Sequence, residues 1–298
     1  MADLRRPLDA TAAGTMVALC ALWGFQQVAV KLAAPAVPLL LQGALRSAIA
    51  TLLVLAWARW RGIALCQRDG ALVPGLAAGL LFSVEFALIY AGLAHTTAAR
   101  MVVFLYLAPC LTALGLSWFV PGERLALPQW AGVALAFGGI AVAFGDGFAT
   151  PGRATMRGDA MGVLAAVGWA ATTVLIRASP LAAVSATRTL FYQLAVSAAL
   201  LPLFSLAAGE SWAARWTPLA VASLGYQAVI VAFASYLTWF WLLTKYLAGR
   251  LAVFSFLAPL FGVAFGHAVL DDPLTPAFVA AAALVGAGIA LVNLRRAG

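Results

Sequence analysis

Charge is what this sequence has least of. Of its 298 residues, 9% are Asp, Glu, Lys or Arg and 64% are hydrophobic; soluble domains carry about 25% charged residues. No water-soluble core buries that much apolar side chain, which excludes an aqueous globular domain and makes lipid the solvent. Histidine is nearly absent, with His95 and His267 far apart. Cysteine occurs three times, as Cys20, Cys66 and Cys110, an odd number without ligand-like spacing. These scarcities exclude a disulfide framework and a Cys/His metal centre, so no cofactor is expected. They also leave no cluster of nucleophile, base or metal ligands at one membrane face, which an enzyme acting on lipids inside the membrane would need.

Hydrophobic runs are abundant instead. A spanning helix needs about 20 apolar residues. Charged residues, Pro and Gly divide the chain into segments near 12–32, 38–58, 71–94, 97–119, 128–145, 159–177, 187–208, 217–243, 248–269 and 276–294. The fold class is therefore all-α and polytopic, with about ten transmembrane helices. The first run follows Arg5 and Arg6 but continues into Trp23, Gln26 and Gln27 without a small-residue cleavage site, so it reads as a retained helix.

The net charge of +8 reports topology here, not nucleic acid. With the N-terminus in the cytoplasm, the inner ends collect Arg5, Arg6, Arg59, Arg61, Arg68, Arg124, Arg177, Arg188, Lys245, Arg250, Arg295 and Arg296. The outer ends collect Lys31, Arg100, Arg153, Arg157 and Arg215. That bias predicts a multi-pass protein with both termini cytoplasmic.

The chain also repeats itself. Arg100-Met-Val-Val-Phe-Leu-Tyr-Leu-Ala-Pro109 returns as Arg250-Leu-Ala-Val-Phe-Ser-Phe-Leu-Ala-Pro259. Trp23 to Lys31 returns as Trp169 to Arg177, and Pro128 to Gly138 as Pro276 to Gly286. Three matches in one order point to duplication. The expected units are 1–146, a polar linker 147–158 containing Pro151 and Gly152, and 159–298. Five spans per unit is an odd number, so the two units are expected to be inverted in the bilayer.

Several polar or helix-breaking residues fall inside the spans. Arg46 and Glu85 lie roughly 12–15 Å deep at 1.5 Å rise per residue. Each is expensive in hydrocarbon, so they either form a structural ion pair or line a wet pathway. Pro109 and Pro259 are repeat mates in spans four and nine, where each frees a carbonyl, of Leu105 and Ser255. They read as a symmetry-related pair of hinges or as static kinks. Trp23 and Trp169 are repeat mates at mid-span, away from the interfaces that Trp favours. With Gln26, Tyr106, Tyr236 and Trp239 they suggest an aromatic wall with a few polar groups, suited to small organic molecules. Tyr90 and Trp241 read as interfacial belt residues. Spans five and ten carry Gly132, Gly138, Gly139, Gly286 and Gly288, and read as scaffold or as a homodimer face.

Trp23-Gly24 followed by Lys31, Arg46, Leu107-Ala108-Pro109, and Gly122-Glu123 before a helix ending in Gly138-Gly139 resemble the drug/metabolite transporter superfamily, in its ten-helix branch with paired EamA-type repeats. Asp271-Asp272 replaces the Gly-Glu pair in the second half, and Gln193 occupies the place aligned with Arg46. Within the branch the aromatic-rich spans look most like YddG-type exporters of amino acids. The resemblance implies inner-membrane export of amino acids or related small metabolites by alternating access through a central cavity, with no enzymatic step.

The expected substrate-binding set is Trp23, Gln26, Arg46, Glu85, Tyr106, Trp169, Tyr236 and Trp239. Glu85 and then His267 are the candidates for proton coupling, with facilitated diffusion equally open. The expected partners are a small-molecule substrate and the lipid bilayer, with no nucleic acid. The competing substrate class is lipophilic cations and drugs, held by Glu85 and cation–π contact. A non-transporting receptor is the remaining reading.

Overall fold

The computed structural model describes residues 9–65, 67, 69–120, 125–149, 153–246, 251 and 253–293. Arg5, Arg6, Cys66, Arg68, Gly122, Glu123, Arg124, Pro151, Gly152, Arg250, Arg295 and Arg296 lie outside the described residues. Among the described residues every regular element is helical. The order is α1 (Ala10–Ala33), α2 (Leu39–Trp60), α3 (Leu72–Gly92), α4 (Ala98–Leu105), α5 (Ala108–Phe119), α6 (Leu127–Ala149), α7 (Arg153–Arg177) and α8 (Ala186–Ala207). There follow α9 (Pro218–Gly225), a π-helix (Tyr226–Ser235), α10 (Tyr236–Lys245), α11 (Leu257–Leu270) and α12 (Pro276–Asn293). Short 3₁₀ turns occupy Pro180–Ala183 and Val253–Phe256.

The starts of these helices are written locally. Asp9 caps α1 by accepting from the Ala12 amide at 2.8 Å. Thr97, Ser185 and Thr217 cap α4, α8 and α9 in the same way, and Pro218 opens α9 where no amide donor is needed. Among the described residues, seven segments are long and apolar enough to cross a membrane: Ala10–Ala33, Leu39–Trp60, Leu72–Gly92, Ala98–Phe119, Thr155–Arg177, Ala186–Ala207 and Pro218–Trp239. Three shorter apolar helices, Leu127–Ala143, Leu257–Leu270 and Pro276–Val292, stand where the sequence places the fifth, ninth and tenth spans. The expected linker 147–158 is largely helical, because α6 runs to Ala149 and α7 starts at Arg153.

Span four is broken rather than kinked. Its helix stops at Leu105 and restarts at Ala108, with Pro109 in the first turn of α5. Pro259 has the same position in the second half, just inside α11 and behind the Val253–Phe256 turn. The span 217–243, expected as one α-helix, carries ten π-helical residues at its centre. A π segment widens the turn and re-aims the side chains that follow it.

Glycine sets the closest helix approaches. A Cβ on Gly132 would lie 2.7 Å from the Gly288 carbonyl, and one on Gly139 would lie 2.7 Å from the Ala281 carbonyl. Ascending residues of α6 thus meet descending residues of α12, so the two helices run antiparallel. These glycines are used within one chain, while Trp130, Phe137 and Val142 on α6 stay exposed. Ser47 donates to Ser197 at 3.2 Å between α2 and α8. Gly43 lies against Leu201, so that pair is antiparallel too.

Gly24 seats α1 on α11. A Cβ there would lie 2.7 Å from the Ala258 carbonyl and 2.8 Å from the Gly262 amide, and backbone cannot rotate aside. Gly24→Ala is therefore expected to destabilise by about 1–3 kcal/mol, the range for overpacking. Gly14→Ala in the same helix meets nothing within 4 Å and should leave the melting temperature unchanged or raised. Thermal unfolding of the detergent-solubilised variants checks the contrast.

Candidate functional site

The aromatic residues expected from the sequence meet in the interior in two groups. Trp23 on α1 donates its indole N–H to Ser235 Oγ at 2.9 Å, and Ser235 in turn donates to the Val231 carbonyl at 2.6 Å. Trp239 stands edge-on to Trp23, with centroids 6.0 Å apart. Tyr106, at the break between α4 and α5, stands edge-on to Trp169 at 5.5 Å. Trp169 packs against both large apolar clusters and so joins them.

Arg46 lies against Phe86 and close to Tyr236. Its side chain is fully buried, and its guanidinium carbon sits 4.1 Å above the Phe86 ring. Nε and Nη1 have no hydrogen-bond partner. The buried Oε1 atoms of Gln26 and Gln27 are also without one. Tyr236 stands close to both Arg46 and Glu85. Glu85 is buried against Gly168, where an added Cβ would lie 3.3 Å from the Glu85 Cβ. Arg46 and Glu85 form no ion pair within 4.0 Å, but the two charges lie near enough to interact with each other and with Tyr236. Phe86 offers Arg46 a quadrupole contact in place of a carboxylate.

His267 is not part of this region. It is exposed near the end of α11, with Nδ1 3.0 Å from the Asp272 carbonyl oxygen. Tyr90 is not a belt residue. It is fully buried and donates to Gln227 Oε1 at 2.6 Å, whereas Trp241 is exposed as expected. The sequence reading passed over Phe86, and named Ser235 in span eight without placing it in the substrate-binding set. The spacing of Phe82, Phe86 and Tyr90 by four residues could have revealed one aromatic face of α3. Ser235 could not be aimed without knowing of the π-helix. The offset of 150 that pairs Ser47 with Ser197 also pairs Arg46 with Val196, not with Gln193. Val196 packs on Gly79, so the second half presents no cation there.

Two further charged clusters fix the frame. Arg100 bonds Asp159 through Nε and Nη2, Asp146 through Nη1 at 2.9 Å, and the Ala143 carbonyl at 2.7 Å. Arg188, read from the sequence as a cytoplasmic end charge, is buried in the first turn of α8 and bonds Asp69 and Tyr192. The Arg188 hydrogen bond holds the Asp69 carboxyl below its ordinary range. Burial pushes Asp272 up, opposed by its bond from the Ala99 amide. The described residues contain no His/Cys/Asp/Glu group able to hold a metal.

An all-helical set of apolar spans around a buried polar and aromatic interior is the build of a membrane transporter. Residues 11–145 and again 156–294 match the EamA-like transporter family, and the chain belongs to that family. It is 26% identical over 277 residues to the uncharacterized transporter YvbV of Bacillus subtilis, covering 93% of this chain and 90% of that protein. It is 28% identical over 234 residues to an uncharacterized transporter of Archaeoglobus fulgidus, covering 76% and 78%. The fold is shared with a protein of known crystal structure at 24% identity and a TM-score of 0.66, covering 94% of this chain and 97% of that one.

Proposed function

We propose that this transporter exports amino acids or related small metabolites from a bacterial cytoplasm across the inner membrane, by alternating access through a central cavity. One observation carries the reading. A fully buried arginine with two unpaired donors sits over the Phe86 ring, and both it and Gln26, whose carbonyl is also unpaired, lie by Tyr90. Such a charge is too costly to keep unless something meets it during the working cycle. A carboxylate on Arg46 with an ammonium near Glu85 and Gln26 would satisfy the orphan groups together. Trp23, Tyr106, Trp169, Tyr236 and Trp239 supply faces for the rest of the molecule.

Alternating access needs two states related by exchange of the halves. Antiparallel pairing of α6 with α12 and of α2 with α8 supports inverted units at 1–146 and 159–298. So does an exchanged pair of contacts. Thr96 donates to Asp159 at 2.6 Å, and Tyr246 donates to Asp9 at 2.8 Å. The offset is 150 in each partner, from 96 to 246 and from 9 to 159. The breaks before Pro109 and Pro259 are the hinges on this reading, and both termini are cytoplasmic.

The buried carboxyl of Glu85 favours a second substrate class, lipophilic cations. Counterflow in proteoliposomes separates the two. Labelled neutral amino acids are expected to exchange, and Glu85→Gln should lower cationic-dye exchange more than amino-acid exchange. If dyes move and no amino acid does, the amino-acid reading fails. If no small solute moves at all, both fail. A pH gradient that leaves the amino-acid rate unchanged would identify facilitated diffusion.

A further inference from the structure

A buried polar chain leads from the site to one end of the bundle. Gln26 lies beside the Tyr90 hydroxyl. That hydroxyl donates to Gln227 Oε1 at 2.6 Å, and Gln227 Nε2 donates to Gln42 Oε1 at 3.0 Å and to Ser223 Oγ at 3.2 Å. Gln42 Nε2 ends the chain on the carbonyls of Val37, at 3.0 Å, and Val30, at 3.3 Å. Ser223 ends a branch on the Ala29 carbonyl. Tyr90, Gln227 and Gln42 are fully buried. The chain thus ties α3, the π-helix and α2 to the end of α1 and to the turn between α1 and α2.

The same turn is also held from its other side. The Arg215 amide donates to the Ala36 carbonyl at 2.8 Å, and its Nη2 donates to the Pro35 carbonyl at 2.9 Å. Glu210 caps α2 by accepting from the Leu40 and Leu41 amides at 2.9 and 3.0 Å. The 210–215 segment and the interior chain therefore converge on one short piece of backbone.

We propose that Tyr90, Gln227 and Gln42 are positioning residues that form a polar lock, closing the α1–α2 end of the transport pathway and linked through Gln26 to the occupant of the site. The inference rests on the reading of that site as a transport site. Its chemistry suits a switch. The members are neutral amides and a phenol, which water can satisfy when the end opens. Ion pairs such as Arg100 with Asp159 separate at far greater cost and suit permanent joints. An occupant that engages Gln26 changes what the Tyr90 hydroxyl faces, and the next link is a single hydrogen bond away.

The test reads accessibility, not transport. Ala232 is fully buried on the π-helix, five residues beyond Gln227. An Ala232→Cys reporter is alkylated with a charged, membrane-impermeant thiol reagent applied from the face that carries the α1–α2 turn, and its rate is read against the same chain without the reporter. Tyr90→Phe deletes one oxygen and should raise the rate about fivefold, the worth of one neutral hydrogen bond. Gln227→Leu removes every bond Gln227 makes and should raise it about tenfold or more. Tyr90→Phe keeps the test decisive if Gln227→Leu fails to fold. Unchanged rates in folded variants overturn the lock. Raised rates without amino-acid counterflow support the lock and remove the amino-acid reading. Counterflow with unchanged labelling does the reverse.

Discussion

Arg46→Met is expected to abolish solute exchange while raising the melting temperature of the empty protein. The two effects have one source. Arg46 is fully buried, with Nε and Nη1 unpartnered, and its compensation comes from the Phe86 ring, Tyr236 and the charge of Glu85. Burying a charge that is not fully hydrogen-bonded is costly, and an apolar side chain of similar volume removes that cost. Binding goes the other way. Hydrogen bonds to a charged group contribute about 1.5–3 kcal/mol each. Losing two of them weakens substrate by roughly 10²–10⁴-fold, at about 1.4 kcal/mol per factor of ten. Counterflow and thermal unfolding of one preparation measure both. Arg46→Lys keeps the charge without the planar guanidinium and should fall between. A variant that melts lower and still exchanges solute would make Arg46 a structural residue.

The same substitution at Arg100 has the opposite sign for stability. Arg100 is also buried, but it is fully engaged by Asp159, Asp146 and the Ala143 carbonyl. Asp159 has no exposed surface, and its other named partner is the Thr96 hydroxyl at 2.6 Å. Arg100→Met would leave the fully buried Asp159 without its cation, and breaking a buried pair from one side destabilises by about 3–5 kcal/mol. The expected result is poor recovery of folded protein and a much lower melting temperature. Asp159→Asn in the same chain should return part of the loss, and the double-mutant cycle measures how much. An Arg100→Met variant as stable as the parent would show that water already solvates this cluster. Partners decide the contrast between the two arginines, because residue type and burial are the same.

Much of the site was legible in advance because it consists of exceptions. Arg46 and Glu85 are charges where lipid tolerates few, and Trp23 and Trp169 are indoles away from the interface. Each violates a one-dimensional rule that a single sequence can test. The structure places the two indoles in the same interior clusters as Tyr106, Tyr236 and Trp239, sets Arg46 and Glu85 by Tyr236, and puts His267 at the exposed end of α11. What escaped notice depends on distance along the chain. Asp146 and Asp159 are 46 and 59 residues from Arg100, and Gln227 is 137 from Tyr90. No local pattern links such pairs. The π-helix escaped because its ten residues have the same apolar composition as the α-helix around them.

Composition alone determined that this chain is a helical membrane protein, because apolar segments in lipid must satisfy their backbone bonds within themselves. The repeated Arg-to-Pro segment located both helix breaks, because proline has no amide to donate. Tertiary structure decided which charges are paired and which remain bare, because that depends on which helices touch. Antiparallel packing through Gly132, Gly139 and Gly288 and the re-aiming of Ser235 by the π-helix are relations between helices, and pair Trp23 with Ser235 while leaving Arg46 without a carboxylate.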